Sequence, residues 1–396
     1  MTGTGKRAPE IRFRGFTDNW EQRKLGELLT EVKRPIKMKD DESYELVTVK
    51  RRNEGIVSRG IFKGKDVLVN SQFQIKTGDY LISKRQVVHG ANGIVPNHLN
   101  NAIVSNEYLV SIGNKNITTD FLSIISRLPS MYRKFFLSSY GIDIEKLVFN
   151  VEDWKKRTIQ VPGISEQNQI TIFFKQLDST IALHQRKLTL LKQLKQTYLK
   201  ALFPQKDGDI PSLRFAGFSE PWEHRKLGET VQITMGQSPN GENYTENPKD
   251  HILVQGNADM KNGRVSPRVW TTQVTKKAEP DDIILSVRAP VGDVGKTDYP
   301  IVLGRGVAGI KGNAFIFQTL LRMKEIGFWT RYSSGSTFES INSGDLKEAV
   351  IQIPNVEEQA KIGSYLTMLD DTMTLHQCKI EKLIELKHLF LGKMFL

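Results

Sequence analysis

Two long stretches of the chain place apolar residues at alternating spacings of four and three, the pattern of a helix with one buried stripe. They lie at residues 161–205 and 353–396. A helix over about 165–203 would be roughly 60 Å long at ~1.5 Å per residue, much longer than a typical globular helix. The apolar stripe positions are Ile170, Phe174, Leu177, Ile181, Leu188 and Leu191 in the first stretch, and Leu366, Leu369, Met373, Ile380 and Leu383 in the second.

Each stripe needs an apolar partner, and the pattern predicts that the two helices pair with each other inside the chain. The alternative is that each helix packs on its own globular domain. Ser165 and Glu166 are expected to cap the first helix, and Pro204 to end it. Four polar residues interrupt the stripes at equivalent positions, and we interpret the histidines as fixing register and the lysine stems as extending to solvent. These residues are His184, Lys195, His376 and Lys387.

The chain also contains an internal sequence repeat. Residues 9–27 and 211–229 are identical at 12 of 19 positions, and the two helical stretches match each other as well. The repeat predicts two equivalent globular units, often related by a pseudo-two-fold axis. Trp20 and Trp222 occupy equivalent positions and are expected to pack where the chain enters each unit.

These patterns predict an α+β chain with four parts. They are a globular domain at 1–160, a long helix at 161–205, a second globular domain at 206–352 and a second long helix at 353–396. The length of 396 residues supports this number of domains.

The net charge of +12 changes this picture, because it favours a polyanionic partner. The excess is uneven: residues 28–160 carry 21 Lys and Arg against 14 Asp and Glu, whereas residues 230–352 carry 14 against 13. A single cysteine, Cys378, excludes an internal disulfide. No apolar run suggests a membrane span or a secretory signal, so the expected location is the cytoplasm.

Three short motifs suggest cofactor or catalytic sites, and their context argues against each. The glycines of "GRGVAG" (304–309) satisfy G-x-G-x-x-G, but a turn between two strands fits the β-branched sequence better than the strand-to-helix turn of a dinucleotide loop. "PVGDVGKT" (290–297) lacks the first glycine of a phosphate loop. "NPKD" (247–250) lacks the aromatic residue that stacks on a flipped adenine. The sequence therefore predicts no active site.

Basic and polar loops remain as the candidate functional sites. Arg, Lys, Gln and Ser are side chains that hold phosphates and contact base edges in protein–DNA complexes. The candidate DNA-binding residues are Lys50, Arg51, Arg52, Arg59, Lys84 and Arg85 in the first unit, and Gln237, Ser238, Arg264, Arg288, Arg331 and Ser336 in the second.

With both repeats laid out, the whole chain resembles the specificity subunit of a type I restriction–modification enzyme. The resemblance rests on "RFRGF…WEQRKLGE" and "RFAGF…WEHRKLGE", on the Pro-x-x-x-Glu-Gln sequences at 162–167 and 354–359, on the helical stripes, and on "DDIILSVRAPVGDVG".

The resemblance implies two target-recognition domains that each contact one half of a split DNA sequence. It also implies that the two helices run antiparallel, set the spacing of the half-sites and dock two methyltransferase subunits. Restriction (translocase–nuclease) subunits would complete the complex. S-adenosylmethionine, ATP and Mg²⁺ would be bound by those partners, with no cofactor or metal in this chain.

Two other classes stay open from the residues alone. One is a free-standing enzyme whose site is not evident, and turnover by the purified chain would support it. The other is a coiled-coil scaffold or RNA-binding protein, which a neighbouring gene for an adenine methyltransferase would argue against.

Overall fold

The structure is a computed structural model that describes residues 8–69, 72–205, 208–332 and 340–395. The chain forms two compact units. Unit 1 comprises Met1–Leu183 and Glu381–Leu396, and unit 2 comprises His184–Ile380. Each unit therefore combines one globular domain with part of both long helices.

Unit 1 is built around two four-stranded sheets, with strand orders β2-β9-β6-β7 and β4-β3-β8-β5. Neighbouring strands are antiparallel except β3 and β8, which are parallel. Two ribbons, β1-β12 and β10-β11, complete the strands. The elements are β1 (Glu21–Lys24), α1 (Leu25–Leu28), β2 (Leu29–Glu31), β3 (Ser43–Val49), β4 (Ile56–Lys63), β5 (Gln72–Gln74), β6 (Tyr80–Ser83), β7 (Asn92–Ile94), β8 (Ile103–Ser105), β9 (Tyr108–Gly113), α2 (Thr119–Ile125), α3 (Pro129–Leu137), β10 (Ser139–Tyr140), β11 (Val148–Phe149), α4 (Val151–Lys156), β12 (Thr158–Val161) and the start of α5 (Ile164–Ala201).

Unit 2 has the same plan with a larger set of strands. A six-stranded sheet has the order β14-β24-β21-β22-β18-β17, and a five-stranded sheet has the order β15-β19-β16-β23-β20. The elements are β13 (Glu223–Lys226), α6 (Leu227–Thr230), β14 (Gln232–Met235), β15 (Tyr244–Thr245), β16 (His251–Val254), β17 (Met260–Lys261), β18 (Arg264–Val265), β19 (Trp270–Thr271), β20 (Lys277–Ala278), β21 (Ile283–Ser286), β22 (Val294–Lys296), β23 (Ile301–Leu303), β24 (Val307–Lys311), α7 (Ala314–Glu325), α8 (Ser343–Glu348), β25 (Val350–Ile353) and most of α9 (Val356–Lys393).

The core strands follow from their sequences. β6 (Tyr-Leu-Ile-Ser) and β21 (Ile-Ile-Leu-Ser) bury all four of their residues. Apolar runs of this length without alternation are typical of strands covered on both faces. β21 accordingly lies inside the six-stranded sheet, between β24 and β22.

Helices α5 and α9 each contain 38 residues and run antiparallel in both units. In unit 1 the rings of Phe173 and Phe390 are 5.0 Å apart, and Asp178 pairs with Lys387. In unit 2 the rings of Tyr198 and Tyr365 are also 5.0 Å apart. All eleven predicted apolar stripe residues are buried or half-buried, and α5 ends three residues before Pro204.

Two expectations about these helices were wrong. Lys195 does not extend its amine to solvent, because its Nζ lies 2.6 Å from Asp370 Oδ1 on the facing helix. Lys387 makes the equivalent ion pair with Asp178. Ser165 and Glu166 both lie inside the first turn of α5, which begins at Ile164, so neither is a capping residue, and Glu166 pairs with Arg12.

The repeated sequence produces the same contacts in both units. Arg12 pairs with Glu166 at 2.7 Å, and Arg214 pairs with Glu358 at 2.6 Å. Trp20 is 3% exposed and Trp222 is 2% exposed. Each tryptophan packs against one phenylalanine from its globular domain and one that lies just after the end of a long helix, Phe395 after α9 and Phe203 after α5. The repeated sequence segments therefore form the contacts that join each globular domain to the long helices.

Candidate nucleic-acid interface

Three segments of unit 1 meet at one surface: the 50–55 loop, the 84–91 loop and the 139–149 hairpin. The Arg52 amide donates to His89 O at 2.7 Å, and the Asn53 amide donates to Gly90 O at 2.9 Å. The Phe149 amide donates to Lys84 O at 2.9 Å. Five of the predicted DNA-binding residues thereby lie on neighbouring loops: Lys50, Arg51, Arg52, Lys84 and Arg85.

The 50–55 loop connects β3 to β4 in an unusual backbone conformation. The Lys50 amide donates to Gly55 O at 2.8 Å and closes the turn. Arg52 and Asn53 have φ angles of 59° and 56°, in the left-handed region that residues with a side chain rarely adopt. Since both amides are held by the 84–91 loop, the contact between the loops fixes the position of Arg52.

Two arginines of this surface form only weak, exposed ion pairs. Arg51 lies 2.8 Å from Glu145 and Arg85 lies 3.0 Å from Glu107, and all four side chains are about half exposed. Exposed ion pairs contribute little to stability, because water screens both charges. A phosphate can therefore replace either carboxylate at small cost.

Arg59 lies apart from these three loops. It is exposed on β4, next to the point where the register of β3 and β4 shifts between Leu46 and Val47. The backbone contacts that join the three loops do not include it.

A basic groove at the base of the 139–149 hairpin was missed in the sequence. Arg133, Lys134, Lys156 and Arg157 line an open cavity of about 540 Å³ together with Asp153. Burial, followed by the charges of Arg157 and Arg133, lowers the pKa of Lys134. The signal available was the pair of basic runs "YRK" (132–134) and "KKR" (155–157), which the folded chain brings together.

In unit 2, residues 237, 238 and 288 converge on the turn between β23 and β24. The Gln237 amide donates to Leu303 O at 2.8 Å, and the Arg305 amide donates to Ser238 Oγ at 3.3 Å. The Val287 amide donates to Gly306 O at 2.9 Å, which brings the next residue, Arg288, to the same turn. Arg305 is exposed on this turn and was not among the predicted residues.

The glycines of "GRGVAG" lie in this turn and in β24, so the expectation of a turn between two strands is confirmed. A Cβ atom on Gly306 would lie 2.0 Å from Gln255 O. Glycine is needed there because another backbone segment approaches closely. The phosphate-loop-like segment at 290–297 contains the strand β22 and is followed by the strand β23, not by a helix.

The remaining predicted residues lie elsewhere. Arg264 is on β18, near the opposite edge of the six-stranded sheet from β14, and pairs with Asp298 at 2.7 Å. It lines a cavity of about 320 Å³ with Lys192 and Lys296. Arg331 lies in a short 3₁₀ helix, Phe328–Tyr332. Ser336 lies outside the described residues.

Within the described ranges, no three His, Cys, Asp or Glu side chains come together as a set that could hold a metal ion. None of the helices in the described part of the chain combines the length and the apolar character needed to cross a bilayer.

Comparison with known proteins gives consistent matches. A model of the family described as "Type I restriction modification DNA specificity domain" matches this chain twice, at residues 17–193 and 219–386. A protein of Methanocaldococcus jannaschii, named as the type I restriction enzyme MjaX specificity subunit, is 30% identical over 250 residues. That segment spans 60% of this chain and 58% of that relative.

Two solved structures share the fold. The type I restriction–modification S subunit from M. genitalium matches with a TM-score of 0.65 at 13% identity, covering 98% of this chain and 99% of that chain. A chain from a structure described as showing complex assembly and conformational transition of the type I R-M system matches with a TM-score of 0.53 at 24% identity. This match covers 95% of this chain and 96% of that chain.

Proposed function

This chain belongs to the type I restriction–modification DNA specificity family, and we propose that each of its two units binds one half of a two-part DNA sequence. In this proposal the chain selects the DNA site and catalyses no step itself. Its substrate-facing surfaces are the three loops of unit 1 and the turn region of unit 2.

The observation that carries the proposal is a repeated frame around different loops. Both units share the Arg–Glu ion pair and the buried tryptophan. The loops on that frame differ, since unit 1 presents mainly Lys and Arg whereas unit 2 presents Gln237, Ser238, Arg288 and Arg305. Equivalent frames with different loops suit a protein that reads two different half-sites.

The long helices support a role in spacing the half-sites. A helix of 38 residues is about 57 Å long. Half-sites one turn of DNA apart are separated by roughly 34 Å. In this proposal, continuous helices joined by ion pairs set the spacing of the two half-sites, which a flexible linker would not do.

The same helices offer surface for partner subunits. In unit 2, α5 exposes Leu190 and Leu194, and α9 exposes Met368 and Leu375, each at least 40% accessible. Helices that expose large apolar side chains outside their buried stripe are suited to packing against further helices. We propose that two methyltransferase subunits dock there, and that restriction subunits join the assembly through them.

The chemistry is then assigned to those partners. S-adenosylmethionine would bind to the methyltransferase subunits, and ATP and Mg²⁺ to the restriction subunits. This division of labour is supported by the strand–turn–strand structure of the two glycine-rich motifs, since cofactor loops of both kinds lead into a helix.

Exchange of one recognition domain tests the proposal. Residues 30–158 are replaced by the equivalent segment of another family member, and the complex with the methyltransferase subunits is expressed in a host whose methylome is sequenced. We expect adenine methylation in a two-part sequence in which only one half changes. The matched control exchanges residues 232–350 and is expected to change the other half.

Three results would contradict the proposal. They are an unchanged target after either exchange, a change in both halves after one exchange, and DNA methylation by this chain without its partners. Either of the first two results would show that the loops of one unit do not select one half-site. The third would show that the chain is an enzyme.

A further inference from the structure

The 139–149 hairpin of unit 1 combines a rigid base with an apolar tip. Its strands β10 and β11 are two residues long and pair Ser139 with Phe149 and Tyr140 with Val148. Phe149 is 4% exposed, and its ring lies 5.9 Å from that of Phe135 and 5.6 Å from that of Trp154. The base of the hairpin is therefore anchored in the core of unit 1.

The segment from 136 to 148 exposes an unusual amount of apolar surface. Ile142, at the tip of the hairpin, is fully exposed. Five neighbours are also more than 40% accessible: Phe136, Leu137, Tyr140, Ile144 and Val148. Single exposed apolar residues are common on soluble proteins, but a cluster of this size on one rigid projection indicates a surface that is covered in a complex.

Cations lie both near the tip and at the base of this projection. Near the tip, Arg51 donates to Glu145 of the hairpin at 2.8 Å and His89 Nε2 lies 3.4 Å from the same carboxylate, which places the tip beside the 50–55 and 84–91 loops. At the base, Arg157 donates to Leu137 O at 2.9 Å and to Ser138 Oγ at 2.6 Å, which places the basic groove there.

We propose that the hairpin is a DNA wedge, in which Ile142 enters between two neighbouring base pairs of the half-site bound by unit 1. This inference rests on the proposed function. Proteins that kink DNA insert an isoleucine, leucine or phenylalanine between base pairs while flanking cations hold the phosphates on either side. A docking surface for another protein would need the apolar tip, but it would not need cations both near the tip and at the base.

The wedge adds a source of specificity that base-edge contacts do not supply. Unstacking is easiest at pyrimidine–purine steps such as TA and CA. Ile142 would therefore select for a flexible step in the first half-site without forming a hydrogen bond to it. The anchored base keeps the tip in place before DNA arrives, so little ordering is required on binding.

The experiment uses the complex of the full chain with its methyltransferase subunits and a duplex that carries the target found by methylome sequencing. Permanganate reactivity of thymines and the fluorescence of 2-aminopurine, placed in turn along the half-site of unit 1, report unstacked bases. The methylated adenine is left out of the comparison, because the methyltransferase flips it.

We expect one unstacked step in the wild-type complex. Ile142→Ala should remove that signal and weaken affinity for the target by roughly tenfold, because an anchor side chain is lost. Ile142→Leu should restore both. Leu68→Ala, which truncates an almost fully exposed apolar residue of the same unit beyond the three loops, is the matched control and should behave as wild type. Assembly with the methyltransferase and the melting temperature should be unchanged in all variants.

Each other outcome overturns the wedge. If the wild-type complex methylates its target but shows no unstacked step, or if the step stays unstacked in Ile142→Ala, the hairpin is not a wedge. If Ile142→Ala prevents assembly with the methyltransferase, the tip contacts protein instead. If the wild-type complex methylates no specific sequence, the proposed function is wrong and the wedge is excluded with it.

Discussion

At the scale of single residues, His184 and His376 form an unusual contact between α5 and α9 in unit 2. Their Nδ1 atoms are 2.7 Å apart, so one nitrogen donates a hydrogen and the other accepts it. The contact cannot survive if both rings are protonated. Lys187 and Lys379 add further positive charge nearby. The pair was predicted to set the register of the helices, and its geometry also makes the contact sensitive to pH.

The pKa of His376 gives the direction of this effect. Burial, followed by the charges of His184, Lys187 and Lys379, lowers its pKa below the ordinary value of 6.5. As the pH falls below that value, the unfolded chain binds a proton before the folded chain does. The stabilising contribution is therefore complete above about pH 6.5 and is lost on acidification.

We expect wild type to lose more unfolding free energy between pH 7.5 and pH 5.5 than His376→Gln does, because glutamine does not titrate. Urea denaturation at the two pH values measures the difference. His388→Gln is the matched control, since His388 is exposed on the same helix. It should keep the pH dependence of wild type. Equal losses in wild type and His376→Gln would show that His376 does not titrate as described.

At the scale of secondary-structure elements, the turn between β23 and β24 is held by a close backbone approach. A Cβ atom on Gly306 would meet Gln255 O at 2.0 Å, so alanine requires one of the two segments to move. The turn carries Arg305 and bonds the segments of Ser238 and Arg288. Its displacement would disturb the whole candidate surface of unit 2.

We therefore expect Gly306→Ala to destabilise the chain by about 1–3 kcal/mol, as overpacking of a fixed site does, and to weaken selection of the second half-site. Urea denaturation and a methylation assay on targets altered in that half measure the two effects. Gly241→Ala is the matched control, because an added Cβ there meets nothing within 4 Å. Equal stability of the two variants would contradict the close-approach argument.

The elements differ in how far the sequence predicts them. α5 (Ile164–Ala201) was predicted within two residues at each end, and α9 (Val356–Lys393) begins and ends three residues inside the predicted 353–396, because the apolar stripe of each helix repeats over many turns. The ion pairs of Lys195 and Lys387 were not predicted, because their partners Asp370 and Asp178 lie off the apolar stripe. The residue spacing within one helix does not identify which residue of the other helix a side chain contacts. The local sequence is enough to predict a long periodic helix, whereas contacts between elements depend on the tertiary arrangement.

The candidate surfaces show the same limit. "KRR" (50–52) and "SKR" (83–85) stand out as basic runs, and folding brings them together through the 84–91 loop. Arg305 and the basic groove were missed because each gains significance only from neighbours distant in sequence. Arg264 was included for its charge, although it lies near the opposite edge of its sheet from β14.

At the scale of the whole molecule, the charge is distributed unequally between the two globular segments. Residues 28–160 carry seven more basic than acidic groups, and residues 230–352 carry one more. Electrostatic attraction of DNA phosphates should therefore come mainly from unit 1. Unit 2 would contribute more through uncharged contacts of Gln237 and Ser238, which depend less on salt.

This asymmetry predicts different salt dependences for variants of the two units. Arg52→Ala should weaken affinity for all DNA sequences and reduce the slope of log affinity against log salt by about 0.9, the value for one phosphate contact. Gln237→Ala should leave the slope unchanged and lower affinity for the specific target alone. Fluorescence anisotropy between 50 and 200 mM salt, roughly the range in which such slopes are measured, distinguishes the two.

Arg23→Ala is the control for general loss of charge, because Arg23 lies on β1, outside the three loops, and pairs with Glu21. It should leave both slope and affinity near wild type. A slope that falls equally in Arg23→Ala and Arg52→Ala would show that net charge alone attracts DNA. A slope that falls in Arg52→Ala alone would support a phosphate contact at the left-handed position that the 84–91 loop imposes on that residue. The strained backbone of the 50–55 loop would then serve DNA binding, since it holds one cation in place before the phosphate arrives.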